Sequence, residues 1–207
     1  MRLAQPFLYR FDFVDLVRQF LVNLMPTFYH RAIQAFQAKN LDNLLENAQE
    51  ILDLLLDLDS LLGSHSYFLL GSWLRDSKSI PGFSENEQKL FEFNARNQVT
   101  LWGPQGQILD YATKQWNGLV RDYYYPRWKM FLDYLSLVLI DPYHYPNYNQ
   151  TEFENAFMVQ IGIPFTQSNK VYSDQPMGNP IQLALQIHAK WRPKVEEKKE
   201  PVIEIIV

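Results

Sequence analysis

The residues of this chain best suited to bind a ligand are Trp102, Ile108 and Tyr111, which flank a Pro/Gly turn. The segment Gly103–Gly106, GPQG, fits a β-turn with proline second and glycine fourth. An indole can cover the C–H face of a pyranose while a phenol hydroxyl bonds the sugar hydroxyls, so the three side chains form a candidate wall of a sugar site. The alternative is that Trp102 and Tyr111 pack into an aromatic helical core, and spacing alone favours that alternative.

A second aromatic group, YYYPRW, runs from Tyr123 to Trp128. Consecutive residues of a helix point in different directions, so these rings are predicted to join several helices rather than to form one binding surface. Arg96 and Arg127 stand beside aromatic neighbours. Both are predicted to be structural, binding carbonyls or carboxylates or stacking on rings.

Groups able to catalyse a reaction form no recognisable set. The chain has 23 Asp and Glu residues, so some carboxylate pairs are inevitable and prove nothing. Asp53, Asp57 and Asp59 are predicted to lie on the solvent-exposed face of a leucine-rich helix, and Asp110 to cap a helix. The four His residues, at 30, 65, 144 and 188, lack metal-ligand spacing, and cysteine is absent. No catalytic residue, metal ligand or cofactor is therefore predicted.

The tripeptide Asn149-Gln150-Thr151 is an N-glycosylation acceptor sequence in a predicted loop over residues 141–150. Such tripeptides also occur by chance, but the pattern makes Asn149 a candidate modification site. Without a recognisable targeting segment at the N-terminus, the sequence leaves the compartment unknown.

The overall charge excludes some partners. The net charge is −4 with acidic and basic residues interspersed, so there is no basic stripe for nucleic acid. The longest apolar stretch, Phe131 to Ile140, is interrupted by Asp133 and Tyr134 and is far shorter than the ~20 residues that a membrane span needs. We therefore expect a soluble chain that binds neither nucleic acid nor membrane.

Apolar periodicity and capping signals predict the elements that must position these residues. They indicate a helical segment from Asp12 to Asn40, kinked near Asn23 to Met25 by Pro26, that is one bent helix or two. Further helices are predicted from Leu41 to Gly63, from Tyr67 to Ser77, from Ser84 to about Thr100, from Arg127 to Ile140 with Pro126 in the first turn, from Thr151 through Met158, and after Asn179-Pro180. Ser84 with Glu87, and Thr151 with Glu154, fit capping boxes. Asp12, Ser66 and Asn179 are further predicted helix caps.

Period-two patterns typical of strands are missing apart from Val202 to Val207. The predicted fold is therefore all-α, an irregular bundle of about seven or eight helices in one domain over residues 7–193. Residues 194–207 are predicted to be a short charged tail outside the fold.

Three segments resemble, in this order, the closing domain of the α-N-acetylglucosaminidases. They are YFLLGSWL at 67–74, FNARNQVTLWGPQGQILDYATKQWNGLVRDYYYPRWKMFL at 93–132 and IQLALQIHAKWRP at 181–193. The resemblance covers nearly the whole chain, and its middle segment, rich in Trp, Gly and Pro at fixed spacings, makes it specific.

The resemblance implies that this domain is one of several in a larger enzyme. Family members have a small leading domain, a (β/α)8 catalytic barrel and this closing domain, and they remove terminal α-linked N-acetylglucosamine, in animals from heparan sulfate in lysosomes. By resemblance, Trp102, Ile108 and Tyr111 line the pocket for the terminal sugar, whereas Arg96 and Arg127 occupy framework positions.

The catalytic carboxylates, roughly 5 Å apart in retaining glycosidases, belong by resemblance to the barrel. The chain alone is therefore expected to be inactive, with the barrel and the terminal sugar as its partners. A full-length parent would be lysosomal or secretory. The alternative is a free-standing helical protein-interaction module that kept the fold and lost sugar binding.

Overall fold

The two longest helices of the computed structural model, which describes residues 7–196, pack against each other. Helix α1 comprises Phe7–Gln37 and helix α2 comprises Leu41–Leu62. Their buried apolar side chains recur at spacings of three and four, as the sequence pattern predicts. The side chain of Asn40 caps α2 by accepting from the backbone N–H of Asn43 at 3.0 Å.

One detail of α1 differs from the prediction. Asp12 is exposed inside the helix and does not cap it, because the helical backbone already includes Phe7. Pro26 lies within α1, so the structure shows the single-helix alternative.

The remaining helices follow in short steps along the chain. After a 3-10 turn at Ser66–Phe68 come α3 (Leu70–Ser77), α4 (Glu85–Gln98), a π-helical turn at Val120–Tyr124 that runs into α5 (Tyr125–Ile140), α6 (Gln150–Phe157), a second π-helical turn at Met158–Gly162 that runs into α7 (Ile163–Gln167), and α8 (Pro180–Glu196). Counting each π turn with the helices it joins, residues 7–196 hold seven continuous helices, and the fold is all-α as predicted.

A proline follows each π turn, two residues after the turn ends. The backbone N–H of Tyr125 donates to Val120 and that of Ile163 donates to Met158, five residues back, and Pro126 and Pro164 follow. Proline has no N–H and crowds the preceding turn, which explains why the helix widens there instead of ending. Pro126 lies in the first turn of α5, as predicted, and the π turn extends the helical chain further towards the N-terminus.

The structure confirms some of the predicted helix caps and contradicts others. The box of Ser84 and Glu87 is confirmed, as is Asn179, which accepts from the N–H groups of Ile181 and Gln182. The box of Thr151 and Glu154 is wrong, because α6 is capped two residues earlier by Asn149. The predicted cap at Ser66 is also wrong. The 3-10 turn that begins at Ser66 is capped by His65, whose side chain accepts from the Tyr67 N–H at 3.3 Å.

The described residues bury two apolar clusters. The first lies between α1, α2 and α8 and contains Trp191, which is fully buried against Phe28 and donates from its indole to Asp57 at 2.8 Å. The second lies between α3, α4, α6 and the π turns and contains Leu101, Tyr123 and Phe157. Rings of the YYYPRW run contribute to both, so they join helices as predicted.

The chain end differs in detail from the prediction. Helix α8 continues past Pro193 to Glu196, and Lys194 forms an ion pair with Glu50 of α2 at 3.2 Å. The predicted period-two run at 202–207 lies outside the described residues. No helix within residues 7–196 combines the length and the apolar character that crossing a membrane requires.

Asp59 is a buried carboxylate, not part of a solvent-exposed face as predicted. It accepts from the N–H groups of Gly118 and Arg121 at 2.7 and 3.2 Å and from the Asn117 side chain at 2.8 Å. Although those hydrogen bonds act in the opposite direction, burial raises the pKa of this carboxyl above its ordinary value. Asp59 thus caps the start of the first π turn from a neighbouring helix.

Helix α3 touches the backbone of residues 172–173 at Gly71. A Cβ atom on Gly71 would lie 2.2 Å from the carbonyl oxygen of Ser173, and backbone atoms cannot move aside as a side-chain end can. We expect Gly71→Ala to lower the free energy of unfolding by about 1–3 kcal/mol, despite the higher helix propensity of alanine. Urea denaturation measures this, with Ser72→Ala as the matched control in the same helix. Equal stability of both variants would show that the contact is not tight.

Candidate functional site

The segment between α4 and the first π turn carries the predicted site and begins at the end of α4. Asn97 pairs with Gly103 through both ends of its side-chain amide: it accepts from the Gly103 N–H at 2.6 Å and donates to the Gly103 carbonyl at 3.0 Å. The backbone N–H of Trp102 also donates to the Asn97 carbonyl at 2.8 Å. The start of the loop is therefore fixed directly to the last turn of α4.

The chain reverses as the GPQG sequence predicts. The Gly106 N–H donates to the Gly103 carbonyl at 3.2 Å, which closes the turn. Both glycines have positive φ, 141° at Gly103 and 68° at Gly106, and such angles favour glycine.

Asp110 does not cap a helix, so that prediction is wrong. Residues 107–112 form successive turns, and Asp110 adopts a left-handed φ of 58°. Its backbone N–H donates to the Thr100 carbonyl at 2.8 Å, and its carboxylate accepts a short hydrogen bond from Arg127 of α5. A cap needs an extended backbone followed by helical residues, and this backbone turns back towards α4 instead.

The three predicted contact residues lie at the surface of this loop. Tyr111 is 66% exposed and Ile108 is 49% exposed, while Trp102 is half-buried. The rings of Trp102 and Tyr111 are 5.1 Å apart at 55°, and the Tyr111 N–H donates to the Ile108 carbonyl at 3.3 Å. Neither ring belongs to the two buried clusters of the described residues. The loop thus presents an indole, a phenol and an aliphatic side chain to solvent.

Behind the loop, Asp110 and Arg127 lie among aromatic side chains. The Arg127 guanidinium stands 4.6 Å from the centre of the Phe157 ring. Burial raises the pKa of the Tyr123 and Tyr124 hydroxyls, and the nearby Asp110 carboxylate raises both further. The phenols therefore remain protonated at neutral pH, and Arg127 supplies the positive charge that faces Asp110.

A cavity of about 380 Å³ opens beside this ion pair. Aromatic rings dominate its lining, with a few polar groups among them: Tyr29, Asp110, Tyr124, Arg127, Trp128, Phe131, Tyr148, Gln150 and Phe153. Apolar bulk with a few placed polar groups is the usual composition of a small-molecule site.

Comparison with known proteins shows which family this domain belongs to. Residues 2–190 match the family model described as Alpha-N-acetylglucosaminidase (NAGLU) C-terminal domain. The chain belongs to this family. It is 39% identical over 189 residues to the human Alpha-N-acetylglucosaminidase, a match that covers 90% of this chain and 24% of the human protein.

Solved structures show the same fold. A family 89 glycoside hydrolase from Clostridium perfringens, in complex with its substrate GlcNAc-alpha-1,4-galactose, superposes with a TM-score of 0.76 at 26% identity, covering 88% of this chain and 21% of that one. A second structure of a family 89 enzyme from this organism, in complex with 2-acetamido-1,2-dideoxynojirmycin, superposes with a TM-score of 0.75. The chain therefore spans about a quarter of the length of these relatives or less.

Within this α-N-acetylglucosaminidase C-terminal domain, Arg96 contacts the core rather than a surface. Its side chain is fully buried and donates to Glu92 at 2.6 Å and to the Lys170 carbonyl at 2.7 Å. It also stacks on the rings of Phe165 and Tyr172, both 5.5 Å from the guanidinium carbon. These contacts are the carboxylate, carbonyl and ring contacts that the sequence predicts for a structural arginine.

Asn149 is exposed at the first turn of α6, where its side-chain oxygen accepts from the N–H groups of Thr151 and Glu152 at 3.0 and 3.3 Å. Its amide nitrogen donates to Glu152 at 3.1 Å. A glycan on that nitrogen would leave the capping oxygen in place, so modification of Asn149 remains a prediction compatible with the cap. Within residues 7–196, no cluster of three or more His, Asp or Glu side chains is arranged to hold a metal ion.

Sequence reasoning missed Asn97 and misassigned Asp110. The available signal was the position of Asn97, six residues before the first glycine of the turn, since Asn side chains often bond turn backbones. For Asp110, only the three-dimensional path of the loop shows that its partner is Arg127, seventeen residues later.

Proposed function

We propose that this chain supplies part of the sugar-pocket wall of an α-N-acetylglucosaminidase, with Trp102, Ile108 and Tyr111 contacting the terminal α-linked N-acetylglucosamine. The catalytic carboxylates come from a (β/α)8 barrel, which is the partner of this domain in the proposal. The observation that carries it is the Trp102–Tyr111 ring pair, with Tyr111 exposed and Trp102 half-buried, on a loop outside the buried clusters.

The chemistry of that surface fits an uncharged sugar. The ring pair offers apolar faces for sugar C–H groups, and the Tyr111 hydroxyl offers a donor and acceptor for sugar hydroxyls. A bacterial relative of the same fold is described in complex with GlcNAc-alpha-1,4-galactose. The proposal includes heparan sulfate as the natural substrate and a lysosomal or secretory compartment.

The role of the domain is tested by reconstitution. The 207-residue chain alone is expected not to hydrolyse an aryl α-N-acetylglucosaminide, whereas the chain joined to the barrel of a family member hydrolyses it. Hydrolysis by the chain alone would overturn the assignment of the carboxylates to the barrel.

In that joined enzyme, Trp102→Ala and Tyr111→Ala are expected to raise KM by roughly tenfold with kcat nearly unchanged, because they remove binding that substrate and transition state share. The free energy of unfolding should change by less than about 1 kcal/mol for Tyr111→Ala, since that side chain is mostly exposed. Tyr143→Ala, which removes a tyrosine that is 87% exposed, is the matched control. Unchanged KM in both loop variants would exclude the proposed sugar contact.

One observation favours the alternative of a free-standing helical interaction module. A groove of about 600 Å³ with an almost wholly apolar lining runs between α1 and α8, and its residues Leu16 and Leu185 are 71% and 65% exposed. Exposed apolar surface of this kind marks interaction sites. The alternative would gain support if the chain restored no hydrolysis when joined to several family barrels.

A further inference from the structure

The loop that presents Ile108 and Tyr111 is held in an unfavourable backbone conformation. Of the non-glycine residues with positive φ in the described chain, Trp102, Asp110 and Thr113 all lie in this loop, at 47°, 58° and 47°. A left-handed conformation is unfavourable for a residue with a side chain and persists where surrounding contacts impose it.

The contacts that impose it at Asp110 come from two directions. Backbone hydrogen bonds tie Asp110 to Thr100, two residues after α4, and to Thr113 further along the loop, both at 2.8 Å. In addition, Arg127 of α5 binds the Asp110 carboxylate. The two side chains are 24% and 25% exposed, so water screens the pair less than it would on the open surface.

Arg127 is itself held in place. It lies in the first turn of α5, directly after the π turn, and its guanidinium faces the ring of Phe157. An arginine supported by a helix and a buried ring gives the loop a rigid partner, because the planar guanidinium loses little additional freedom when it bonds.

The two halves of the loop have separate anchors. Asn97 fixes Trp102 and Gly103 through backbone and side-chain hydrogen bonds. Asp110 stands two residues after Ile108 and one before Tyr111, so its position sets where both of those side chains point. Loss of one anchor should therefore release one half and leave the other in place.

We propose that Asp110 and Arg127 are positioning residues, forming a latch that holds Ile108 and Tyr111 towards the sugar. The role of the latch in sugar binding rests on the proposed function, whereas its effect on the loop does not. Neither residue touches the sugar in this proposal; both act through the loop.

The first arm of the test uses the 207-residue chain without substrate. In Arg127→Met and in Asp110→Ala, hydrogen exchange of the Asp110 amide region is expected to accelerate by at least about tenfold, while the Gly103 amide keeps its protection. The double variant should add little to either single change, because both remove the same ion pair. Arg75→Met, which removes an exposed ion pair elsewhere, is the control. Unchanged exchange around residue 110, or equal acceleration at Gly103, would overturn the latch.

The second arm uses the same variants in the enzyme joined to a barrel. Arg127→Met and Asp110→Ala are expected to raise KM several-fold with kcat nearly unchanged, as for loss of a pocket contact. Asp110→Asn should restore much of the affinity, because Asn tolerates the left-handed backbone and still accepts a hydrogen bond from Arg127. A merely structural role would lower the amount of folded enzyme and leave KM unchanged.

The two arms separate failure of the latch from failure of the proposed function. If Tyr111→Ala raises KM but the Arg127 and Asp110 variants do not, the latch is wrong and the pocket wall stands. If faster exchange is seen but no loop variant changes KM, the latch holds the loop and the sugar contact is wrong.

Discussion

Replacing Arg96 with alanine is expected to lower the free energy of unfolding by about 3–5 kcal/mol. The guanidinium is fully buried, and its removal leaves the Glu92 carboxylate with fewer partners and the Lys170 carbonyl without its donor. It also leaves a void beside the rings of Phe165 and Tyr172, which now stack on Arg96. Urea denaturation of the 207-residue chain measures the loss, with Arg75→Ala, an exposed arginine, expected to change stability little.

The pH dependence of stability provides an independent readout of the same contact. Burial acts to raise the pKa of Glu92, but hydrogen bonds from Lys78 and Arg96 outweigh it and hold the pKa below its ordinary value of 4.5. A depressed pKa in the folded state contributes stability that is present above 4.5 and is lost as the pH falls through the folded pKa. Arg96→Ala should reduce this acid-side loss, because part of the depression disappears with the arginine. An unchanged acid slope together with unchanged stability would show that Arg96 does not stabilise Glu92.

Features of the fold that depend on local sequence were predictable. The apolar period of α2 and the capping box at Ser84 and Glu87 involve residues within a few positions of each other, so their pattern is complete in the sequence. The wrong predictions concern residues whose partners lie far away in the sequence. Asp59 looks like any acidic residue on an amphipathic helix until the chain brings Gly118, 59 positions later, to its carboxylate.

Competition between local signals explains one other error. Asn149 and Thr151 are both good caps two residues apart, and the earlier one caps α6 because its oxygen reaches two backbone N–H groups. Pro126 lies in the first turn of α5, as predicted, but the π turn before it extends the helical chain towards the N-terminus. In both places the sequence predicted a helix of the correct type and placed its start too late.

The same distinction between local and distant contacts applies to the candidate site. Side chains that project from the loop, Trp102, Ile108 and Tyr111, were predicted from residue types, the turn signal and the family resemblance. The residues that fix the loop were not, because Asn97 and Asp110 act through backbone geometry that includes left-handed angles at non-glycine residues. Side-chain chemistry can be read from a sequence more readily than the strain by which it is presented.

The carboxylate of Asp59 provides the other large expected effect. Asp59→Ala should lower the free energy of unfolding by about 2–5 kcal/mol, because the buried N–H groups of Gly118 and Arg121 lose their acceptor. The effect should spread beyond α2, since these amides begin the π turn that leads into α5. Urea denaturation measures the loss, and Asp53→Ala on the same helix, which removes a partly exposed ion-pair partner of Lys190, should cost at most about 1 kcal/mol.

Asp59→Asn separates the hydrogen bonds from the charge. The amide keeps one oxygen acceptor for the backbone N–H groups, so this variant should lose less stability than Asp59→Ala at neutral pH. Because burial raises the pKa of Asp59, its contribution is present in full below the unfolded pKa and decreases as the pH rises through the folded pKa. The asparagine variant cannot ionise and should lack that decrease. If both variants lose equal stability and keep the wild-type pH profile, the carboxylate is not the cap that joins α2 to the start of α5.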